Sequence, residues 1–173
     1  MIRGRVWLFG DNVNTDEMMP GEALYGSEEM QTRALFSTLR PGFVDLVQPG
    51  DILVAGRNFG CGSSRPASRS LVNAGIGCVV ADGINSLFLR NCISYGLQAF
   101  GCVGVHAVFQ EGDIAEVDCD SGRIANLRTG VALQGDCIPS HLLATMRSGG
   151  ILPTLENQGL ISAPWSAPPS WVP

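Results

Sequence analysis

"ILVAGRNFGCGSSRPASRSLVNAGIGCVVA", residues 52–81, is the stretch that decides the fold. Its ends, "ILVA" (52–55) and "IGCVVA" (76–81), are short apolar runs with β-branched residues, the pattern of strands buried on both faces. Between them "ASRSLVNAG" predicts a short helix that turns Ala67, Leu71 and Val72 inward and stops near Gly75. Two buried strands joined by a helix form a parallel βαβ unit. A glycine-rich turn, "NFGCGSSR" (58–65), lies where the first strand feeds that helix.

Outward from this unit the same alternation continues. "GRVWLFG" (4–10) reads as a first strand and "DNVNTDEMMPGEALYG" (11–26) as a loop rich in Asn, Asp and Gly. Residues 27–39 predict a short helix with Met30, Ala34 and Leu35 among its apolar positions, and "PGD" (49–51) a turn. Residues 84–95 give the cleanest helix, with Ile84, Leu87, Phe88, Cys92 and Tyr95 at helical intervals and Gly96 as its stop. "LQAFGCVGV" (97–105) returns as strand. "DIAEVDCD" and "IANLRTG", joined through "SGR", make a hairpin-like pair, and "IPSHLLATMRSGG" (138–150) a helix with Pro139 early. The expected fold is a mixed α/β domain over residues 1–160, a parallel core with an added β-hairpin section. Residues 161–173 form a Pro- and Ser-rich tail carrying Trp165 and Trp171, expected to be extended and either to hang free or to lie across a partner.

Composition bounds the function. Hydrophobic residues make up 45% of the 173 and charged residues 16%, enough for a sizeable core. A net charge of -5 argues against nucleic-acid or anionic-membrane binding. No stretch reaches the ~18 apolar residues of a membrane helix, and the N-terminal residues lack a signal-peptide pattern; the expectation is a cytoplasmic protein. The six cysteines are scattered without a CxxC pair, so neither a disulfide framework nor a complete metal site is expected. Most read as small core residues.

The turn carries the chemistry. Backbone N–H groups at the start of the following helix favour an anion. Gly60 and Gly62 permit close approach of a ligand, and the Arg65 guanidinium can fork onto a carboxylate. A dinucleotide fingerprint would need a third glycine, absent after Gly60 and Gly62. A P-loop would need a lysine, and the chain has none. A nucleophile elbow would need a GxSxG pattern with a histidine partner, which neither the turn nor His106 and His141 supplies. The plain alternative is a glycine turn whose Ser63 or Ser64 caps the helix.

Four blocks together, "FGDNVNTDEMMP" (9–20), "GDILVAGRNFGCGSSR" (50–65), "NSLFLRNCISYGL" (85–97) and "EGDIAEVDCDSGRIANLRTG" (111–130), resemble the small subunit of 3-isopropylmalate dehydratase. That subunit is the separate-chain version of the swivelling domain of the aconitase superfamily. The resemblance runs in order over residues 2–152. It implies a swivelling β/β/α fold with a barrel-like mixed sheet, and a large partner subunit that carries a 4Fe–4S cluster, with none bound by this chain. The implied reaction is reversible dehydration of a small hydroxy-dicarboxylate. Carried onto matching positions, Ser63 is the base that exchanges the proton on the substrate carbon, and Asp16 polarises a histidine of the large subunit. Ser64 orients the substrate and Arg65 clamps a substrate carboxylate. Gly62, Thr15 and Tyr25 complete the implied substrate-binding set.

The sequence also departs from that family. Where its members usually continue Glu-His-Ala after Ser-Ser-Arg, this chain has Pro66-Ala67-Ser68. Pro66 fits a first helical turn and biases Arg65 toward an extended conformation. The loop "GEALYGSEE" (21–29) is acidic and aromatic, with no arginine before Arg33. That favours a dicarboxylate with an alkyl group, isopropylmalate or a methyl- or dimethylmalate, over the tricarboxylates of aconitase or homoaconitase. A non-catalytic anion-binding or assembly module is the alternative from another class.

Overall fold

The structure, a computed structural model, describes residues 1–162. The expectations for Trp165, Trp171 and the tail fall outside the described residues.

One seven-stranded sheet has the order β4-β3-β2-β1-β5-β6-β7. Its parallel half consists of β1 (Ile2–Phe9), β2 (Ile52–Ala55), β3 (Cys78–Ala81) and β4 (Gln98–Gly101), with Val6 paired to Ile52, Ile52 to Cys78 and Cys78 to Gln98. The antiparallel half is β5 (Ile114–Asp118), β6 (Arg123–Asn126) and β7 (Ala132–Gln134). The long β1 joins the halves along its own length. Its residues Ile2–Arg5 pair with β5 and Val6–Phe9 with β2, and the sheet curls into a half-barrel. The 52–81 stretch folds as its pattern dictates: β2 and β3 are buried along their whole length.

Strand periodicity sorts the core into two layers. One face carries Trp7, Phe9, Leu53, Ala55, Val79 and Ala81. It packs on α4 (Ala67–Ala74) and α5 (Ser86–Tyr95), which contribute Leu71, Phe88 and Cys92. The opposite face carries Ile52, Val54, Val80 and Phe100. It packs on α6 (Val105–Val108) and on Leu143 of α7 (Ser140–Arg147), and continues into Ala115, Val117 and Ile124 of the antiparallel half. Phe88, fully buried, contributes about 1.5–3 kcal/mol by transfer alone.

Several expectations are corrected. Residues 11–26 are not all loop: α1 (Thr15–Met18) forms because Asn14 and Glu17 make a reciprocal capping box. The helix expected over 27–39 is α2 (Glu28–Arg33) only. Phe36, at φ 52, leaves the helical path to be fully buried, donating its N–H to the Met18 carbonyl at 2.9 Å; burial of the ring outweighs helix propagation. The strand expected over 97–105 ends at Gly101, since Gly104 at φ 85 starts α6. Val72 is 38% exposed rather than inward. Pro66 precedes α4 as its N-cap rather than opening it. Not anticipated were the one-turn α3 (Phe43–Leu46), α6 itself, the three-residue β7, and α8 (Ile151–Asn157). Pro153 in α8 is tolerated because it lies in the first turn, where its missing N–H has no helical partner to lose.

Candidate active site

The carboxyl ends of β1, β2 and β3 lie together, the edge at which open α/β sheets place their ligands. The glycine turn after β2 is stitched there on both sides. Toward β1, Gly60 N–H donates to the Val13 carbonyl at 2.9 Å, and Thr15 N–H to the Cys61 carbonyl at 2.8 Å. Toward β3, Phe59 N–H donates to the Gly83 carbonyl at 2.9 Å, and Asn85 N–H to the Phe59 carbonyl at 2.8 Å. Two glycines are required by this geometry. Gly60 sits at φ +76, where a Cβ would also overlap the Phe88 ring. Gly62 sits at φ +106, with Thr15 Oγ1 only 2.9 Å from the Cβ position.

The stitching brings the side chains of two distant segments together. Thr15 Oγ1 donates to the Ser63 carbonyl at 2.9 Å, fixing the turn below the serine. Arg65 Nε donates to Ser63 Oγ at 3.2 Å and forms an ion pair with Asp16 Oδ1 at 2.9 Å. Ser63 Oγ stands 3.5 Å from the same Asp16 oxygen. The Arg65 Nη1 group donates to the Met19 carbonyl at 2.7 Å, so the guanidinium is held at two points while Nη2 is used in neither. The side chain of Arg65 is 15% exposed and that of Asp16 63% exposed. Ser63 and Ser64 are exposed. Ser64 Oγ accepts from Asn91 Nδ2 at 3.3 Å, and the same amide donates to the Arg65 carbonyl at 3.5 Å, which ties the turn to α5.

At the rim, Arg57 donates to Asp11 through its backbone N–H at 2.8 Å and its Nε at 2.9 Å. These bonds hold the Asp11 carboxyl below the usual carboxylate range. Helix α4 has no side-chain cap, so neither Ser63 nor Ser64 serves as one. Their hydroxyls point to other partners, and the plain helix-capping reading fails.

A hydroxyl that accepts from a largely buried guanidinium is placed to carry negative charge, because the positive N–H stabilises the alkoxide more than the alcohol. Asp16 now occupies the guanidinium edge that an incoming carboxylate would need. Ser63, Asp16, Arg65, Thr15 and Gly62 are therefore assembled at one point, and Ser64 lies beside them against α5. Tyr25 is not drawn into this cluster. It is 93% exposed on the segment between α1 and α2. Sequence reasoning does not single out the Met19 carbonyl as an anchor for Arg65, and a backbone oxygen leaves no signal in a sequence. Among the described residues no group of three or more His, Cys, Asp or Glu side chains is placed to hold a metal ion. Cys78 and Cys119 approach at 3.8 Å, on the far side of the sheet from α4.

Comparison with known proteins agrees with this architecture. Residues 11–100 match the Aconitase C-terminal domain family. The isopropylmalate/citramalate isomerase small subunit of Methanocaldococcus jannaschii is 41% identical over 91% of this chain and 95% of its own length. The 2,3-dimethylmalate dehydratase small subunit of Eubacterium barkeri is 38% identical over 87% of this chain and 93% of its own. The methanogen homoaconitase small subunit of Methanothermobacter thermautotrophicus is 38% identical over 88% and 89%. A crystal structure of 3-isopropylmalate dehydratase from Methanocaldococcus jannaschii superimposes with a TM-score of 0.83 at 30% identity, covering 92% of this chain and 95% of that one. The chain belongs to the aconitase C-terminal domain family, and within it to the separate small subunits of the isopropylmalate dehydratase type. Among the described residues no helix is long and apolar enough to cross a membrane.

Proposed function

We propose that this chain is the small subunit of a hydro-lyase that reversibly dehydrates an alkyl-substituted malate in the cytoplasm, active only with a large subunit that holds the 4Fe–4S cluster. The observation that carries this reading is the juxtaposition of Ser63 Oγ, Arg65 Nε and Asp16 within 3.5 Å on an open surface. A carboxylate and two hydroxyls left exposed beside a largely buried guanidinium make half a site, and a docked partner would close it from water.

In this reading Ser63 removes and returns the proton on the substrate carbon, its alkoxide stabilised by Arg65 and by a site dried on assembly. Arg65 binds the substrate carboxylate through its planar edge, the carboxylate replacing Asp16 there. Asp16, released, turns toward a basic side chain of the large subunit. Ser64, held by Asn91, and the backbone at Gly62 orient the substrate. Thr15 keeps the Ser63 backbone in place. The Tyr25 segment faces the alkyl group, and its sequence, with no arginine before Arg33, favours an alkyl dicarboxylate over a tricarboxylate.

The test is anaerobic reconstitution with the large subunit. Ser63→Ala is expected to lower kcat by about a hundredfold or more with KM little changed. Turnover at the wild-type rate would remove Ser63 from the role of base and favour a non-catalytic module.

A further inference from the structure

The Tyr25 segment is held at both ends by arginines four residues apart. At its start, Arg65 Nη1 donates to the Met19 carbonyl, and Gly21 packs with its Cβ position 3.8 Å from that nitrogen. At its end, Gln31 of α2 is 5% exposed, and its Nε2 donates to the carbonyls of Leu24 at 2.9 Å and Gly26 at 3.2 Å, the two residues flanking Tyr25. The other end of that amide, Oε1, accepts from Arg69 Nη2 at 2.8 Å. Arg69 stands on α4, the helix that follows the active-site turn. Its Nη1 pairs with Glu28 at 2.9 Å, and its guanidinium lies 5.6 Å from the ring centre of Tyr95 on α5. A buried glutamine with both ends of its amide engaged has one orientation, so it transmits the position of α4 to the backbone around Tyr25.

We propose that Arg69 and Gln31 are positioning residues, a strut that sets the distance between the Tyr25 segment and Arg65 and so fixes which substrate alkyl group is accepted. This rests on the reading of the chain as a dehydratase small subunit. Neither residue touches substrate. Both act through the carbonyls of Leu24 and Gly26.

The full chain, reconstituted with its large subunit, would be compared as wild type, Gln31→Met, Arg69→Met and Arg69→Lys. The readout is the ratio of kcat/KM for 3-isopropylmalate to that for 2,3-dimethylmalate. Loss of folded or assembled protein scales both substrates equally and leaves the ratio alone. Each methionine variant should shift the ratio by about tenfold, mostly through KM, the scale of discrimination that one or two methylenes support. Arg69→Lys should recover part of it. In the isolated full chain, amide exchange at Leu24 and Gly26 should rise about tenfold in the methionine variants, with the α5 amides unchanged. An unchanged ratio overturns the specificity role even if exchange rises, and unchanged exchange overturns the strut. If the wild-type pair turns over neither substrate, the reaction assignment fails, and the exchange comparison still decides the strut.

Discussion

Replacing Arg65 by lysine keeps the charge and removes the fork. Arg65 now makes contacts from two separate nitrogens, Nε to Asp16 and Ser63, and Nη1 to the Met19 carbonyl. Lysine offers one nitrogen on a flexible stem, so at least one of these attachments is lost. Met19 is fully buried, and a carbonyl left there without its donor bears the cost of desolvation. A hydrogen bond to a charged group is worth about 1.5–3 kcal/mol, and at 15% exposure solvent screens little of it. That range corresponds to about a tenfold to hundredfold fall in kcat/KM if the same fork binds the substrate carboxylate. It also corresponds to a drop of about 3–12 °C in Tm for a chain of this size. Both are measurable, the first by steady-state kinetics of the reconstituted pair and the second by thermal melting of the small subunit alone. A lysine variant within about threefold of wild-type kcat/KM would refute the assignment of Arg65 as a bidentate carboxylate clamp. Unchanged melting would rule out the two-point anchoring.

Other outcomes are expected from the same geometry. Gly60→Ala forces a left-handed residue against Phe88 and should cost about 2–4 kcal/mol in chemical denaturation. In the Gly60→Ala, Phe88→Ala double variant, which takes the Phe88 Cγ and Cδ1 atoms out of the overlap, part of that cost should disappear, and strict additivity would contradict the overlap. Asp113, buried beneath Arg128 and Asn126, has its carboxyl held far below the usual carboxylate value of 3.8, chiefly by the Arg128 hydrogen bonds. Its stabilisation is therefore fully present above pH 3.8 and is lost as pH falls toward the depressed folded value. Asp113→Asn should lower stability at neutral pH and flatten the acid limb of the stability–pH curve; an unchanged limb assigns acid sensitivity elsewhere. Asn91→Ala should reduce turnover by about fivefold, with Tm little altered, because only Ser64 Oγ and the Arg65 carbonyl lose a donor.

The sheet's parallel half is legible because its buried strands and the α5 stripe carry strong patterns. A short apolar run can belong to a strand or to a buried helix, yet "ILVA" and "CVVA" sit between clear turns that leave no room for a helix. The short elements are not legible: four residues such as "FVDL" or "VHAV" complete one helical turn and show no period. Phe36 and Val72 show the other limit. Local pattern puts Val72 on the inner face of a helix and leaves Phe36 unplaced, and tertiary packing settles both. In the site, Ser63 and Arg65 stand out as residue types in a glycine turn, whereas their contact with Asp16 depends on a pairing across 47 and 49 positions that no local window contains. Gln31 gives no signal at all, since a glutamine in a polar helix reads as solvent-facing until its burial is seen.

The stitches between the segments after β1 and β2 join residues 45 to 49 positions apart in the chain. Contacts of that separation form late, because a long loop must close before any of them is rewarded. Until β1 and β2 have paired, Asp16 and Ser63 belong to unconnected pieces of chain. If a large subunit docks on the site they form, as proposed above, a nascent or partly unfolded copy would be silent toward that step, and the finished sheet itself would act as the checkpoint for it.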